Sequence, residues 1–495
     1  MSVLQTVSAV RNAEKSAVDS GIAEYSLMVD AGSQAADIIN FHYPEASRFV
    51  VLCGGGNNGG DALVAAGVLS RNYRRNVVIY SVKARDGFSG CAGHAVNDLP
   101  EDIGFFHRES LSVRDFKPGD VIIDGLLGIG FSGGALRSEV KSFIAAAVAS
   151  GLPVAALDLP SGMNGDTGVV SPDGVIDADM TITFGMLKAG LFSGEGSRYR
   201  GKLRLVDIGL DAGASVANGI FTNLDAVKCV THPGFDCHKN SRGRVLVWGG
   251  SSLYPGAPVL SAVAALRCGA GIVRIVSNGE CRELAPAEVI VKKILCGSDV
   301  GRDVREFFPL SDVLVAGCGW GDETPVEALD VLWEFPGTLV LDADALNMFS
   351  AHIDKWRCRD RVIITPHPGE AARLAAALEL PFSAGNREQS AKELAAKLQC
   401  TVLLKGRDSV VADRNGNVMR IASGNHALAT AGSGDVLAGI IAACACSIED
   451  TMTAAALAGF IHGVAGETAP GIPLAGEFGE RAGVVLAAAR QNALF

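Results

Sequence analysis

The chain has 495 residues and a formal net charge of −11, with 48% hydrophobic and 20% charged residues, the composition of a soluble globular protein. One hydrophobic core rarely grows past ~250–300 residues, so two domains are expected. The acidic balance argues against a nucleic-acid partner, and no apolar run approaches the ~20 residues that cross a membrane.

Strands and helices are expected to alternate along the first 210 residues. Apolar runs at 48–54 (RFVVLCG), 76–82, 120–128, 153–158, 180–184 and 203–207 read as buried strands. Helical patterns fall at 62–75 and 138–150. This alternation implies a parallel sheet with helices on both faces. The stretch 211–223 (DAGASVANGIFTN) is small, polar and irregular. It places a boundary near 215–228, with a first domain over 1–215 and a second over 223–495. A second series of strands is expected at 243–250, 271–277, 311–319, 338–344, 361–369 and 400–406, with helices at 258–271 and 386–399. The 12 cysteines are scattered, with only a CxC at Cys444 and Cys446, and are expected as buried thiols in a reducing compartment. The N-terminus lacks the apolar core of a signal peptide, so the cytoplasm is the expected location.

In the first half, CGGGNNGGD (53–61) joins a strand to the helix expected from Ala62. Its glycines admit close approach of a ligand. A phosphate-only loop has little use for the carboxylate of Asp61, whereas a cation or sugar site does. Asp124 ends another strand, ahead of the glycine-rich GLLGIGFSGG, and Asp158 ends a third, with Ser161 following. Asn, Asp and Ser oxygens on one sheet edge suit a hard cation. Each alone would read as a helix cap or a turn.

GNNGGD (56–61), DGLLGIG (124–130), DLPSG (158–162), TFGMLKAG (183–190) and YSLMVDAG (25–32) resemble the NAD(P)HX epimerase family. The resemblance implies a Rossmann-like α/β/α sandwich that interconverts the R and S epimers of hydrated NADH and NADPH. It implies substrate contacts from Asn57, Asn58, Gly59, Gly60 and Asp61. Gly128, Ile129, Gly130, Phe131, Ser132, Gly133 and Gly134 would wrap the phosphates. Asp158 would bind the reacting end, and Lys188 would help bind or polarise the substrate. Asn58, Asp124 and Ser161 would hold a potassium ion. Asp124 and Asp158 are both candidates for the acid–base step, which stays unassigned between them. Ala62 in place of a Gly, and MLK before the final AG, depart mildly from the family pattern.

In the second half, TPHPGE (365–370) follows a strand, and two prolines hold His367 in an extended turn away from a helix. NHALATAGSGDVLAG (425–439) runs a glycine-rich loop into an apolar helix. Its N–H groups would form an anion hole, and Asp435 beside it is placed to take a proton from a hydroxyl. These motifs, with YPGAP (254–258), GCGWG (317–321), LDADALN (341–347) and LLKG (403–406), resemble the ADP/ATP-dependent NAD(P)H-hydrate dehydratase family of the ribokinase-like fold. The resemblance implies that Asp435 activates the ring hydroxyl for phosphorylation. Ala257, Gly319 and His367 would contact the hydrated cofactor. Lys405, Gly406, Arg407, Asp408, Ser409, Asn425, Ala431, Gly432, Ser433 and Gly434 would hold ADP, with Mg²⁺. Ala431, Ser433 and Ser409 stand where the family commonly has Gly, Thr and Thr. Fused forms in this family point to ADP, and a homo-oligomer is expected.

The combined reading is a bifunctional cofactor-repair enzyme acting on NADHX and NADPHX. A vitamin-precursor kinase on the same fold is the alternative enzyme. A scaffold role for the first half is the non-catalytic one.

Overall fold

The computed structural model describes residues 2–210, 218–232, 234, 236–294, 300–355 and 360–491. They form two compact units, one ending at residue 210 and the other starting at 218 among the described residues. The expected domain end at residue 215 lies outside the described residues.

The first unit is built on seven parallel strands. Across the sheet the order is Gly104–His107, Val77–Ser81, Arg48–Cys53, Asp120–Gly125, Val154–Leu157, Met180–Phe184, Lys202–Val206. Side chains alternate between two cores. Phe49, Val51 and Cys53 face one, Val50 and Leu52 the other, and all are fully buried. Burial on both faces is why these strands read as continuous apolar runs. Each such side chain contributes ~1.5–3 kcal/mol of burial. The chain moves outward from Arg48–Cys53 and then returns to pair Asp120–Gly125 on its other side. That reversal opens a crevice at the carboxyl ends of these two strands, where open α/β sheets bind ligands.

The second unit has ten strands. Their order is Asn218–Phe221, Val418–Ile421, Val410–Ala412, Thr401–Leu404, Val362–Ile364, Thr338–Leu341, Val313–Ala316, Arg244–Trp248, Ile272–Ser277, Ile290–Lys293. Val410–Ala412 runs antiparallel to both neighbours, and the other pairs are parallel. The reversal falls between Arg244–Trp248 and Val313–Ala316. Helix Ser433–Ala445 packs on helix Ala257–Arg267. The contact is close enough that a Cβ at Gly439 would overlap the Ser261 carbonyl.

Three expectations change. Residues 218–221, read as irregular, form a strand paired with Val418–Ile421. The helix expected from Ala62 spans Asn57–Tyr73, so the NNGGD run is its first turn. Gly59 and Gly60 disguise that start, since glycine costs ~1 kcal/mol in a helix. Packing requires them: a Cβ at Gly59 would overlap the Gly54 carbonyl, and one at Gly60 the Met28 side chain. Finally, His367 is not held away from a helix but caps one, Pro368–Ala377. Among the described residues no helix is long and apolar enough to cross a membrane, and the cysteines are free.

Candidate active sites

A cleft of about 770 Å³ opens at the reversal in the first sheet. Asn57, Asn58, Asp61, Asp158 and the stretch Gly128–Phe131 line it. A bonded network lies beneath. The Ser161 hydroxyl donates to Asp124 Oδ1 at 2.6 Å, and Ser161 N donates to Asp124 Oδ2 at 2.8 Å. Leu127 N donates to Ser161 Oγ, and Asn58 Nδ2 to the Leu127 carbonyl, both at 2.8 Å. Burial pushes the Asp124 carboxyl up to about 6, against the pull of the Ser161 and Leu126 bonds. Asn58 Oδ1 is buried with no hydrogen-bond partner. The donor set around it is oxygen only: Asn58 Oδ1, the Leu127 carbonyl, Ser161 Oγ and the Asp124 carboxylate. That chemistry, with one oxygen unmatched, fits a hard cation.

Asp158 sits in the left-handed region, at φ 64°. This aims its carboxylate back at the loop, where Oδ2 accepts from Ile129 N at 3.2 Å. Oδ1 pairs with Lys188 Nζ at 2.6 Å. The same ammonium donates to Thr183 Oγ1 at 3.1 Å and to the Phe184 carbonyl at 2.8 Å. Its three donors are thus spent, and the side chain is 1% exposed. Lys188 thus fixes Asp158, and it stands outside the cleft lining. Gly59 and Gly60 also turn toward protein rather than the cleft. Ser132, Gly133 and Gly134 stand outside its lining. The Ser132 carbonyl accepts from Asn164 Nδ2 at 2.6 Å, and that of Gly134 from Ser171 Oγ at 2.7 Å.

Helix Val7–Asp19 adds two residues the sequence reading passed over, Arg11 and Glu14. Arg11 Nη2 donates to the Ile129 carbonyl at 3.0 Å. Burial and the Asp158 charge push the Glu14 carboxyl up, and burial with Asp158 and Glu14 pushes Asp61 well up. Their three-residue spacing, which places both on one helix face, was the available signal.

In the second unit, Asp342 ends strand Thr338–Leu341 and is 2% exposed. Its Oδ1 accepts from Thr365 Oγ1 at 2.8 Å and from Lys405 Nζ at 2.5 Å. Burial works against the Lys405 charge, but Asp342 outweighs it and the ammonium is held above its ordinary range. Asp435 lies in the first turn of helix Ser433–Ala445. Burial, then the Asp342 charge, raises its carboxyl to about 7, while Cys318 and Lys405 pull the other way. Ligand atoms of Cys318, Asp342 and Asp435 all lie within 4.8 Å of one another. Oδ2 of Asp342, left over from the Lys405 and Thr365 bonds, is the hard donor that fits a Mg²⁺ held chiefly by nucleotide phosphates.

The 13-residue helix carrying Asp435 begins at Gly432 in the left-handed region and has no side-chain cap. A Cβ at Gly434 would sit 3.1 Å from Lys405 Nζ, so two segments expected on the nucleotide, Lys405 and 432–434, do meet. Ala257 and Gly319 also meet, since a Cβ on Gly319 would lie 2.9 Å from that of Ala257. His367 is half exposed, and its Nδ1 accepts from Gly369 N at 2.9 Å as the helix cap. Gly406, Arg407, Asp408 and Ser409 form a tight turn, with Ser409 Oγ donating to the Gly406 carbonyl at 3.0 Å and Arg387 bonded to the Arg407 carbonyl. Asn425 Oδ1 accepts from Ala427 N at 3.1 Å, and Ala431 is exposed ahead of the helix. Asp342, Thr365 and Cys318 were not singled out from the sequence, although LDADALN ends a strand on Asp as the first half does twice.

Two α/β units, each with a lysine-clamped aspartate just past a strand end, and an uncapped helix N-terminus beside an elevated aspartate, define a two-site enzyme of small-molecule metabolism. Residues 24–190 match the family model "YjeF-related protein N-terminus", and residues 245–474 match "NAD(P)H-hydrate dehydratase". The chain is 33% identical to a bifunctional NAD(P)H-hydrate repair enzyme of Coxiella burnetii, covering 97% of this chain and 96% of that protein. It is 33% identical to the one of Escherichia coli K12, covering 95% and 90%. An ADP/ATP-dependent NAD(P)H-hydrate dehydratase structure from Bacillus subtilis, co-crystallised with ATP and Mg²⁺, is 26% identical, covers 56% of this chain and 100% of its own, and has a TM-score of 0.46. The chain belongs to the family of bifunctional NAD(P)H-hydrate repair enzymes.

Proposed function

We propose that the first unit interconverts R- and S-NAD(P)HX and that the second dehydrates the S form to NAD(P)H at the expense of ADP, yielding AMP and phosphate. One observation carries the reading: Asp435, poised near neutrality, stands at an open helix N-terminus beside Lys405. A phosphate at those N–H groups puts its phosphorus within reach of a hydroxyl that Asp435 deprotonates. The substrate oxygen then attacks the β-phosphorus of ADP and AMP leaves. The lone pair of the ring nitrogen expels phosphate, and loss of a proton from the neighbouring ring carbon restores the dihydronicotinamide. Mg²⁺ supplies neutralisation of the phosphate charge when bound.

In the first unit, Asp158, oriented by Lys188, meets the reacting end, and the Asn58–Asp124–Ser161 set holds potassium. Asn57, Asp61 and the Gly128–Phe131 loop take the dinucleotide. Purified protein given ADP, Mg²⁺, K⁺ and mixed NADHX epimers should restore the full NADH absorbance at 340 nm. Recovery stopping at the S fraction would remove the epimerase assignment. A stable phosphorylated product from a vitamin-type alcohol, without NADH recovery, would favour the kinase reading. Running ADP and ATP side by side identifies the nucleotide.

A further inference from the structure

His462 lies on helix Thr451–Glu467, 7% exposed, and its ring meets the Phe478 ring edge-on at a centroid distance of 6.1 Å. Its Nε2 is 3.1 Å from Ser433 Oγ. Burial, then the Lys405 charge, pushes the imidazole down to about 4, so it is neutral where the enzyme works. Nothing in the phosphoryl-transfer scheme above uses this residue.

Its position bears on how the nearby helix begins. A helix normally satisfies its first N–H groups with a side-chain oxygen from the cap or the first turn. Here the cap is Gly432, which has none, and Ser433 N is bonded to the Thr430 carbonyl. Ser433 supplies the one hydroxyl of the first turn, and serine hydroxyls readily fold back onto nearby backbone groups. The imidazole Nε2 is the hydrogen-bond partner of that hydroxyl. We infer that His462 is a positioning residue: by holding the Ser433 hydroxyl inward, it keeps the N–H groups of Gly434 and Asp435 open for the nucleotide's phosphate. The inference rests on the phosphate-site reading above.

Loss of one such hydrogen bond is worth about tenfold in affinity. His462→Leu keeps apolar bulk but not the bond, and should raise KM for ADP about tenfold with kcat changed far less. His462→Gln retains a polar group near the position of Nε2 and should recover most of the loss. Ser433→Ala removes the hydroxyl that needs holding, so adding His462→Leu to it should cost little more. The full-length variants would be titrated with ADP by calorimetry and assayed at 340 nm, with thermal midpoints recorded for each. Equal ADP affinity in wild type and His462→Leu would overturn the inference. So would an additive double mutant, or a His462→Gln variant no better than His462→Leu. A wild-type protein that does not bind ADP would overturn the phosphate site itself, and the inference with it.

Discussion

The two sites treat their carboxylates in parallel ways up to a point. In each, a strand-end aspartate is clamped by a lysine: Asp158 by the buried Lys188 at 2.6 Å, and Asp342 by the partly buried Lys405 at 2.5 Å. Each site also holds a second carboxylate without a cation of its own, Asp124 near 6 and Asp435 near 7. The difference lies in what surrounds that second group. Asp124 is fully buried and hydrogen-bonded by Ser161 and Leu126, whereas Asp435 stands in the first turn of an uncapped helix beside a second aspartate. A bonded, buried carboxylate suits a fixed role as an ion ligand. One left elevated and facing an anion site suits moving a proton.

The sharpest break in the comparison comes from Asp435→Asn. It should cut dehydration by roughly 10²–10⁴-fold, the usual contribution of a positioned base, and leave epimerisation at the wild-type rate. Retained 340 nm recovery would refute the role given to Asp435. Next, Asp124→Asn should weaken potassium activation of epimerisation by roughly 10–100-fold, read from epimer ratios at varied K⁺, with S-form dehydration untouched. An unchanged potassium response would remove Asp124 from the ion site. The smallest effect is on stability. The carboxyl of Asp435 is raised in the fold, so its contribution is fully present below the unfolded value near 3.8 and is lost as pH rises through about 7. Asp435→Asn should therefore match wild type at pH 4 and melt ~2–4 °C higher at pH 8, in scans without nucleotide. A variant that melts lower at pH 8 would show the carboxylate to be better paired than its surroundings imply.

Both sheets and the strand-end aspartates of the first half were legible in the sequence, because strands buried on two faces announce themselves as apolar runs. The missed strands are short, exposed or irregular in pattern: Gly104–His107 and Ile290–Lys293 lie at sheet edges with partly exposed faces. The start of helix Asn57–Tyr73 was hidden by glycines chosen for packing rather than for helix propensity. The clamping lysines were visible as residues but not as clamps. Lys405 finds Asp342 across 63 positions, a meeting that no local pattern encodes. His462 escaped for the same reason, lying in a helix whose own sequence gives no sign of what it faces.

Asp158 has one more consequence, for how this position can vary. A left-handed backbone penalises any side chain with a Cβ by roughly 1–2 kcal/mol, least for Asp and Asn, and not at all for Gly. Conservative-looking changes such as Asp158→Glu or Asp158→Thr therefore carry a folding defect that charge or size alone would not predict. Among single replacements, Asn alone removes the carboxylate while keeping both the backbone and the side-chain shape. Sequence drift here is confined to a very narrow alphabet by geometry before catalysis is consulted.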